Sequence, residues 1–266
     1  MVEFRQLVRG RVEWSRLETI ARQLAERYGR DEVHVRFLEA DNWLSTPMVI
    51  DDEWFVKVVS KQNSLVHALF TTGRNLGAIS SGTEGFFEHF GTPYQMAEHD
   101  LEATRRMREI GVNAPEPVEV LEIDGLGVLV LEYLPEFRSL DALDREREAE
   151  LAPKVFQTLR RLHDHGLAHG DLRAENVLIV DGDIYFIDGT NVSADGLADA
   201  RSYDLACGLG ALEPLIGARA AVDAALTAYD EAELLAAREF LDFVNIRPDH
   251  DFDAAAVKGE VEKRAS

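Results

Sequence analysis

The chain runs to 266 residues with 46% hydrophobic side chains, enough for an ordinary core, so wholesale disorder is excluded. Its formal charge of −21 repels phosphate backbones and argues against nucleic acid as a directly bound ligand. A single cysteine, Cys207, excludes an internal disulfide, a CxxC redox centre and a thiolate zinc site.

The first residues, MVEFRQLVRG, lack the apolar core of a signal peptide, and no run of about 18 uncharged apolar residues appears anywhere. The expected location is the cytoplasm, with no membrane partner. Five lysines stand against 23 arginines, which together with the acid excess reads as the surface of a salt-adapted, halophilic protein.

Apolar residues at Trp14, Leu17, Ile20, Ala21, Leu24 and Tyr28 fall on one face of a helix predicted over 12–28, and Gly29 ends it. Extended runs follow at 33–39, 48–50 and 54–59, separated by Pro47 and by Asp51-Asp52, as in a short antiparallel meander. Residues 60–92 read as an insertion, with a helix over 65–79 and a flexible Ser/Gly break at 80–85. A helix over 94–110 is stopped by Gly111, and strands at 118–123 and 127–133 turn at Asp124-Gly125. Beyond LEYLPE the pattern becomes helical: a short helix at 140–143 and a long one at 148–165. A strand pair at 177–180 and 184–187 comes next, and from Tyr203 the chain is rich in Ala, Leu and Glu.

This order predicts an α+β, two-lobed architecture with a boundary near Leu134, and lacks the alternating order of a dinucleotide-binding fold. The expected divisions are an N-terminal helical extension over 1–32 and a small antiparallel lobe over 33–133 carrying the insertion near 60–92. A mainly helical lobe over 134–246 follows, then a poorly packed acidic and charged tail over 247–266.

The strongest local signal is HGDLRAENVLIVDGDIYFID, residues 169–188. Asp171 and Asn176 share one loop, five positions apart, and Asp188 follows the strand pair, 17 positions after Asp171. Phosphoryl transfer needs a carboxylate beside the attacking hydroxyl and hard-oxygen ligands that hold Mg²⁺ against the phosphates. Asp, Asn and Gly are also ordinary turn residues, but the whole string between a long helix and a strand pair is more than turn chemistry requires.

The segment resembles the catalytic and metal-binding loops of the protein-kinase-like superfamily, and the rest of the chain supplies matching parts in order over roughly residues 33–230. Lys57 in FVKVV resembles the third-strand lysine that pairs with nucleotide phosphates. Glu102 resembles the helix glutamate that orients it, with Glu98, one turn earlier, as the alternative. LVLEYLP, residues 129–135, resembles the hinge, where Glu132 and Leu134 would offer backbone groups to adenine. Asp204 in YDLA resembles the buried aspartate that supports the catalytic loop. Gly170 replaces the arginine of H-R-D, Asp188-Gly189-Thr190 stands where D-F-G would be, and only 16 positions separate Asp188 from Asp204, with no A-P-E motif. These departures resemble the atypical RIO-type kinases, related tRNA-modification kinases and the aminoglycoside and choline phosphotransferases. Arg173, placed where protein-serine kinases carry a phosphate-contacting lysine, tilts toward the RIO-like group; YDLA tilts toward the small-molecule enzymes.

The resemblance implies a two-lobed kinase-like fold binding MgATP between the lobes. Asp171 would serve as catalytic base with Arg173 beside it, Asn176 and Asp188 would hold Mg²⁺, and Lys57 with Glu102 would hold the nucleotide phosphates. The acceptor would be a hydroxyl on a protein or a small molecule. The segment FLEADNWLSTPMVI, in place of the phosphate-covering loop, has no glycine, so a weakly active nucleotide-binding regulatory pseudokinase or a conformational ATPase stays open.

Other readings are weaker. His163, His165 and His169 match no zinc template, and an HD-type phosphohydrolase requires an all-helical chain. Cys207 in LACGL reads as core. GLGALEPLIG has glutamate where the dinucleotide fingerprint needs its third glycine, and no G-x-x-x-x-G-K-[ST] occurs.

Overall fold

A computed structural model describes residues 12–38, 45–61, 91–189, 196–247 and 250–265. The expected insertion helix over 65–79, the break at 80–85 and residues 39–44 of the glycine-free loop lie outside these. The described residues fall into two compact units. The first takes those within 1–74, 89–105 and 115–135, the second those within 106–114 and 136–266. Among the described residues no helix is long and apolar enough to cross a membrane.

In the first unit, α1 (Trp14–Arg27) precedes β1 (Val35–Phe37), β2 (Thr46–Ile50) and β3 (Trp54–Val59). Then come α2 (Pro93–Glu109), which belongs to this unit up to Arg105, β4 (Pro117–Ile123) and β5 (Leu126–Glu132). The strands form one antiparallel sheet in the order β1-β2-β3-β5-β4. Asp124-Gly125 joins β4 to β5 with both residues at positive φ, 51° and 73°, the two-residue turn whose twist suits adjoining strands. The pleat sends alternate side chains to opposite faces. Val56, Val58, Val128 and Val130 pack with Leu17, Ile20 and Leu24 of α1 in one cluster. Phe55, Leu129 and Leu131 pack with Ala97 and Leu101 of α2 in another. Lys57 therefore falls on the α2 face.

α2 starts on Pro93, which has no N–H to leave unsatisfied at the first helical position. Thr92 Oγ1 accepts from the Gln95 N–H at 3.1 Å. Gly127 is required where β5 passes this helix start: a Cβ there would stand 2.2 Å from the Pro93 carbonyl oxygen.

The second unit contains β6 (Arg138–Ser139), a 3₁₀ turn (Leu140–Ala142), α3 (Arg145–Asp164), a 3₁₀ turn (Ala174–Asn176), β7 (Val177–Val180) and β8 (Asp183–Phe186). α4 (Leu197–Ile216), α5 (Ala218–Ala225), α6 (Glu231–Arg238), α7 (Leu241–Ile246) and α8 (Ala254–Arg264) complete it. β6, β7 and β8 pair antiparallel in that order. Helix ends are fixed locally: Asp144 accepts from the Arg147 N–H at 2.9 Å, and Asp230 and Glu233 form a reciprocal capping box at α6. α4 runs through the core, with Tyr203, Leu205, Ala206, Cys207 and Leu209 at most 1% exposed. Cys207 is core, as its apolar setting suggests.

The expected loose tail is a correction. Asp253 caps α8 by accepting from the Ala256 N–H at 2.9 Å, and Ala254, Val257 and Val261 are buried in the main core with Phe252. Acidic and basic residues dominate the tail, but three apolar residues at helical spacing suffice to dock it.

Candidate active site

In the first unit, Lys57 is 6% exposed at its side chain, and its Nζ donates to Asp100 Oδ2 at 2.9 Å. Asp100 lies on the inner stripe of α2, between buried Met96 and Ala97 and buried Leu101 and Thr104. Glu102 instead lies on the exposed face, where it accepts from Arg105 at 2.9 Å, and Glu98 is exposed as well. The expectation that Glu102, or Glu98, orients Lys57 is thus corrected to Asp100. The signal was present in the periodicity, because Asp100 is the acid that falls in the apolar stripe. Likeness of the surrounding string pointed to its outward neighbour.

At the expected hinge, the Glu132 N–H donates to the Glu116 carbonyl at 2.8 Å and the Tyr133 N–H to the Glu53 carbonyl at 2.9 Å. The Glu132 carboxylate accepts from the Glu116 N–H at 3.0 Å. Leu134 is buried, and its N–H donates to no backbone carbonyl among the described residues.

In the second unit, the loop from His169 to Asn176 is fixed by Asp204 of α4. Its two oxygens accept from the His169 N–H at 2.5 Å and the Gly170 N–H at 2.6 Å. Gly170 has φ +78°, a left-handed conformation, which accounts for glycine between His169 and Asp171. Asp204 is itself braced by His163, whose Nε2 lies 3.2 Å from Oδ2, while Tyr229 lies 2.9 Å from His163 Nδ1. Burial pushes the Tyr229 hydroxyl well above its ordinary value, so it stays protonated and donates to Nδ1. The Nε2–H then donates to Asp204, a tautomer assigned from the hydrogen-bond pattern. Both ring nitrogens of His163 are therefore engaged within the protein.

Asn176, 3% exposed, donates through Nδ2 to the Asp171 carbonyl at 2.8 Å, which leaves its Oδ1 as the hard donor. The Ile187 N–H donates to the Asn176 carbonyl at 3.1 Å and so brings Asp188, at φ +57°, beside that asparagine. Burial pushes the imidazole of His169 below its ordinary value, opposed by the nearby carboxylates of Asp204, Asp171 and Asp188. The structure thus gathers Asp171, Arg173, Asn176 and Asp188 around one loop.

Two further contacts reach Asp171. Arg173 Nε lies 3.4 Å from Oδ2, and Arg247 Nη2 donates to Oδ1 at 2.5 Å. Arg247 comes from the stretch expected to be a loose tail. No short motif marks it.

Among the described residues no group of three or more Asp, Glu, His or Cys could cage a metal by itself. A single Asp with an Asn carbonyl suits Mg²⁺, which keeps several waters and shares its shell with phosphate oxygens, so the donor set fits MgATP.

The RIO domain family model matches residues 91–195. The chain is 32% identical over 105 residues to KEOPS complex subunit Bud32 of Pyrococcus abyssi, covering 38% of this chain and 46% of that one. It is 28% identical over 142 residues to 3-deoxy-D-manno-octulosonic acid kinase of Vibrio cholerae, covering 51% and 58%. The matches thus span about half the length of these curated relatives. Among solved structures, an aminoglycoside-3'-phosphotransferase of type VIII aligns with a TM-score of 0.53 at 17% identity, over 85% of this chain and 98% of that one, a likeness of fold. The chain is thus similar to the RIO domain over residues 91–195, which hold the loop from His169 to Asn176, and its fold is kinase-like.

Proposed function

We propose that the protein is an ATP-dependent phosphotransferase that moves the γ-phosphate of MgATP to a hydroxyl group. The observation that carries this reading is the hydrogen-bonded loop in which Asn176 Nδ2 holds the Asp171 carbonyl while Asp204 ties down the preceding amides. Such a loop presents a carboxylate and a hard amide oxygen in fixed relation, as positioning catalysis requires.

Asp171 orients the acceptor hydroxyl and takes its proton, and Arg173 meets the transferring phosphoryl group. Asn176 Oδ1 and Asp188 are the residues that would hold Mg²⁺. Lys57, oriented by Asp100, neutralises phosphate charge, and the Glu132 and Leu134 backbone groups receive the adenine. The bound Mg²⁺ supplies charge neutralisation across the phosphates.

Similarity to the RIO domain supports a protein serine or threonine, or the protein itself, as acceptor, with simple ATP hydrolysis as the limiting case. A small hydroxylated acceptor is the second reading. It is favoured by the 16 positions between Asp188 and Asp204, which leave little chain to dock a peptide, and by the similarity to a sugar-acid kinase.

Turnover of γ-labelled ATP with Mg²⁺ tests these readings together. Label on protein, on an added hydroxylated sugar acid, or in free phosphate identifies the acceptor. Asp171→Ala should reduce each of these signals by about 10²-fold or more. Transfer that persists in Asp171→Ala would remove the assigned base.

A further inference from the structure

The carboxylate of Asp171 is gripped by a residue 76 positions away. Arg247 caps the C-terminal end of α7 in extended backbone, φ −67° and ψ 135°, and α7 is anchored by buried Leu241 and Val244. Its guanidinium, 14% exposed at the side chain, forks: Nη2 donates to Asp171 Oδ1 at 2.5 Å and Nη1 to the Tyr203 hydroxyl. Tyr203 is fully buried in α4 and immediately precedes Asp204. Two consecutive residues of one helix therefore fix the reacting loop. Asp204 holds its backbone, and Tyr203, through Arg247, holds its side chain.

Arg173, a second cation near Asp171, is divided. Arg173 Nη1 donates to Glu175 at 2.8 Å, and its Nε stays 3.4 Å from Asp171 Oδ2. The closer grip is that of Arg247. A guanidinium suits this task because its planar fork addresses two acceptors at once, and a charge-assisted bond that is largely buried resists screening by salt. The carboxylate keeps further lone pairs, so holding Oδ1 leaves acceptor capacity for a hydroxyl.

We infer that Arg247 is a positioning residue for Asp171 in phosphoryl transfer, with Tyr203 as its support. This rests on the proposed phosphotransferase reading. Without the grip the loop stays folded, but the carboxylate swings among rotamers and the productive geometry becomes one of several.

The test measures kcat, KM for ATP and calorimetric MgATP affinity for wild type, Arg247→Met, Arg247→Lys and Tyr203→Phe, with thermal unfolding as a control. Arg247→Met should lose about 10- to 100-fold in kcat with KM and affinity within about twofold of wild type. Arg247→Lys should recover part of that loss, and Tyr203→Phe should lose about 3- to 10-fold, since its ring packing is kept and only the hydroxyl is removed. A kcat for Arg247→Met equal to wild type would make the grip idle, and a higher one would make it a brake. Either overturns the inference, as does a loss confined to KM and thermal stability. If wild type itself turns over no ATP, the phosphotransferase reading fails. The crystal structure of Arg247→Met then decides the positioning claim: an unchanged Asp171 rotamer overturns it, and a displaced carboxylate on an intact loop supports it.

Discussion

The environment of each charged residue decides its role here. Glu102 and Asp100 are two positions apart on α2, yet one faces solvent with Arg105 and the other meets Lys57 in a pair that is mostly buried. Removing one partner of a mostly buried pair costs more than breaking an exposed ion pair. Asp100→Asn should therefore lower kcat/KM for ATP by about 10-fold or more, whereas Glu102→Gln should stay within about twofold of wild type. Steady-state kinetics of the two variants under identical conditions checks this, and the reverse ranking would restore the glutamate. Cys207 offers a simpler check. Burial pushes its thiol far above the ordinary value, so the folded protein should resist thiol reagents at neutral pH and react only on unfolding.

The elements most legible in the sequence were those whose periodicity and punctuation agree. β3, β7 and the turns at Asp124-Gly125 and Asp181-Gly182 fall where β-branched runs and Asp-Gly pairs put them, because both signals are local. The hydrogen-bonded loop from His169 to Asn176 was legible for the same reason, as Asp171, Asn176 and Asp188 lie within one short string. Arg247 was not, since its partner is 76 positions away and no local pattern records the pairing. α8 was hidden by composition: charge made the tail look solvated, and its buried stripe is only Ala254, Val257 and Val261. Val257→Ala should thus cost about 2 kcal/mol, read by chemical denaturation, where a loose tail would show none. Gly127→Ala should cost about 3 kcal/mol, because the new Cβ meets backbone at Pro93, which has no rotamer to move aside.

Element packing also carries a pH dependence in the first unit. Glu119 on β4 accepts from Arg27 Nε and from the Tyr28 hydroxyl, both at 2.7 Å. The Arg27 bond is the main cause that holds its carboxyl below the ordinary range, aided by Tyr28 and opposed by burial. A carboxyl with a lowered folded-state value contributes stability above its unfolded-state value, and that contribution disappears as pH falls through the folded one. Tyr28→Phe should weaken it, costing about 1 kcal/mol at neutral pH and flattening the loss of stability below about pH 4.

Across the whole molecule, the charge of −21 and the scarcity of lysine set the conditions under which the site can be studied. Self-repulsion among surface carboxylates opposes compaction, and raising ionic strength from 0.1 to 1 M shortens the screening distance from about 10 Å to about 3 Å. The thermal midpoint should accordingly rise with added potassium chloride. A flat response would mean that the arginine-rich ion pairs already balance the acid excess locally. Lys57 pairs with Asp100 in the first unit, and Asp171 and Asn176 are joined by a hydrogen bond in the second; in the proposed function nucleotide is the ligand that both sets serve.

Calorimetric titration of the folded protein with ATP, with and without Mg²⁺ and in high-potassium buffer, therefore tests the central claim most directly. The account predicts saturable binding to wild type that is strengthened by Mg²⁺, with that strengthening lost in Asp188→Asn. Absence of saturable binding by the folded wild type under these conditions would contradict it.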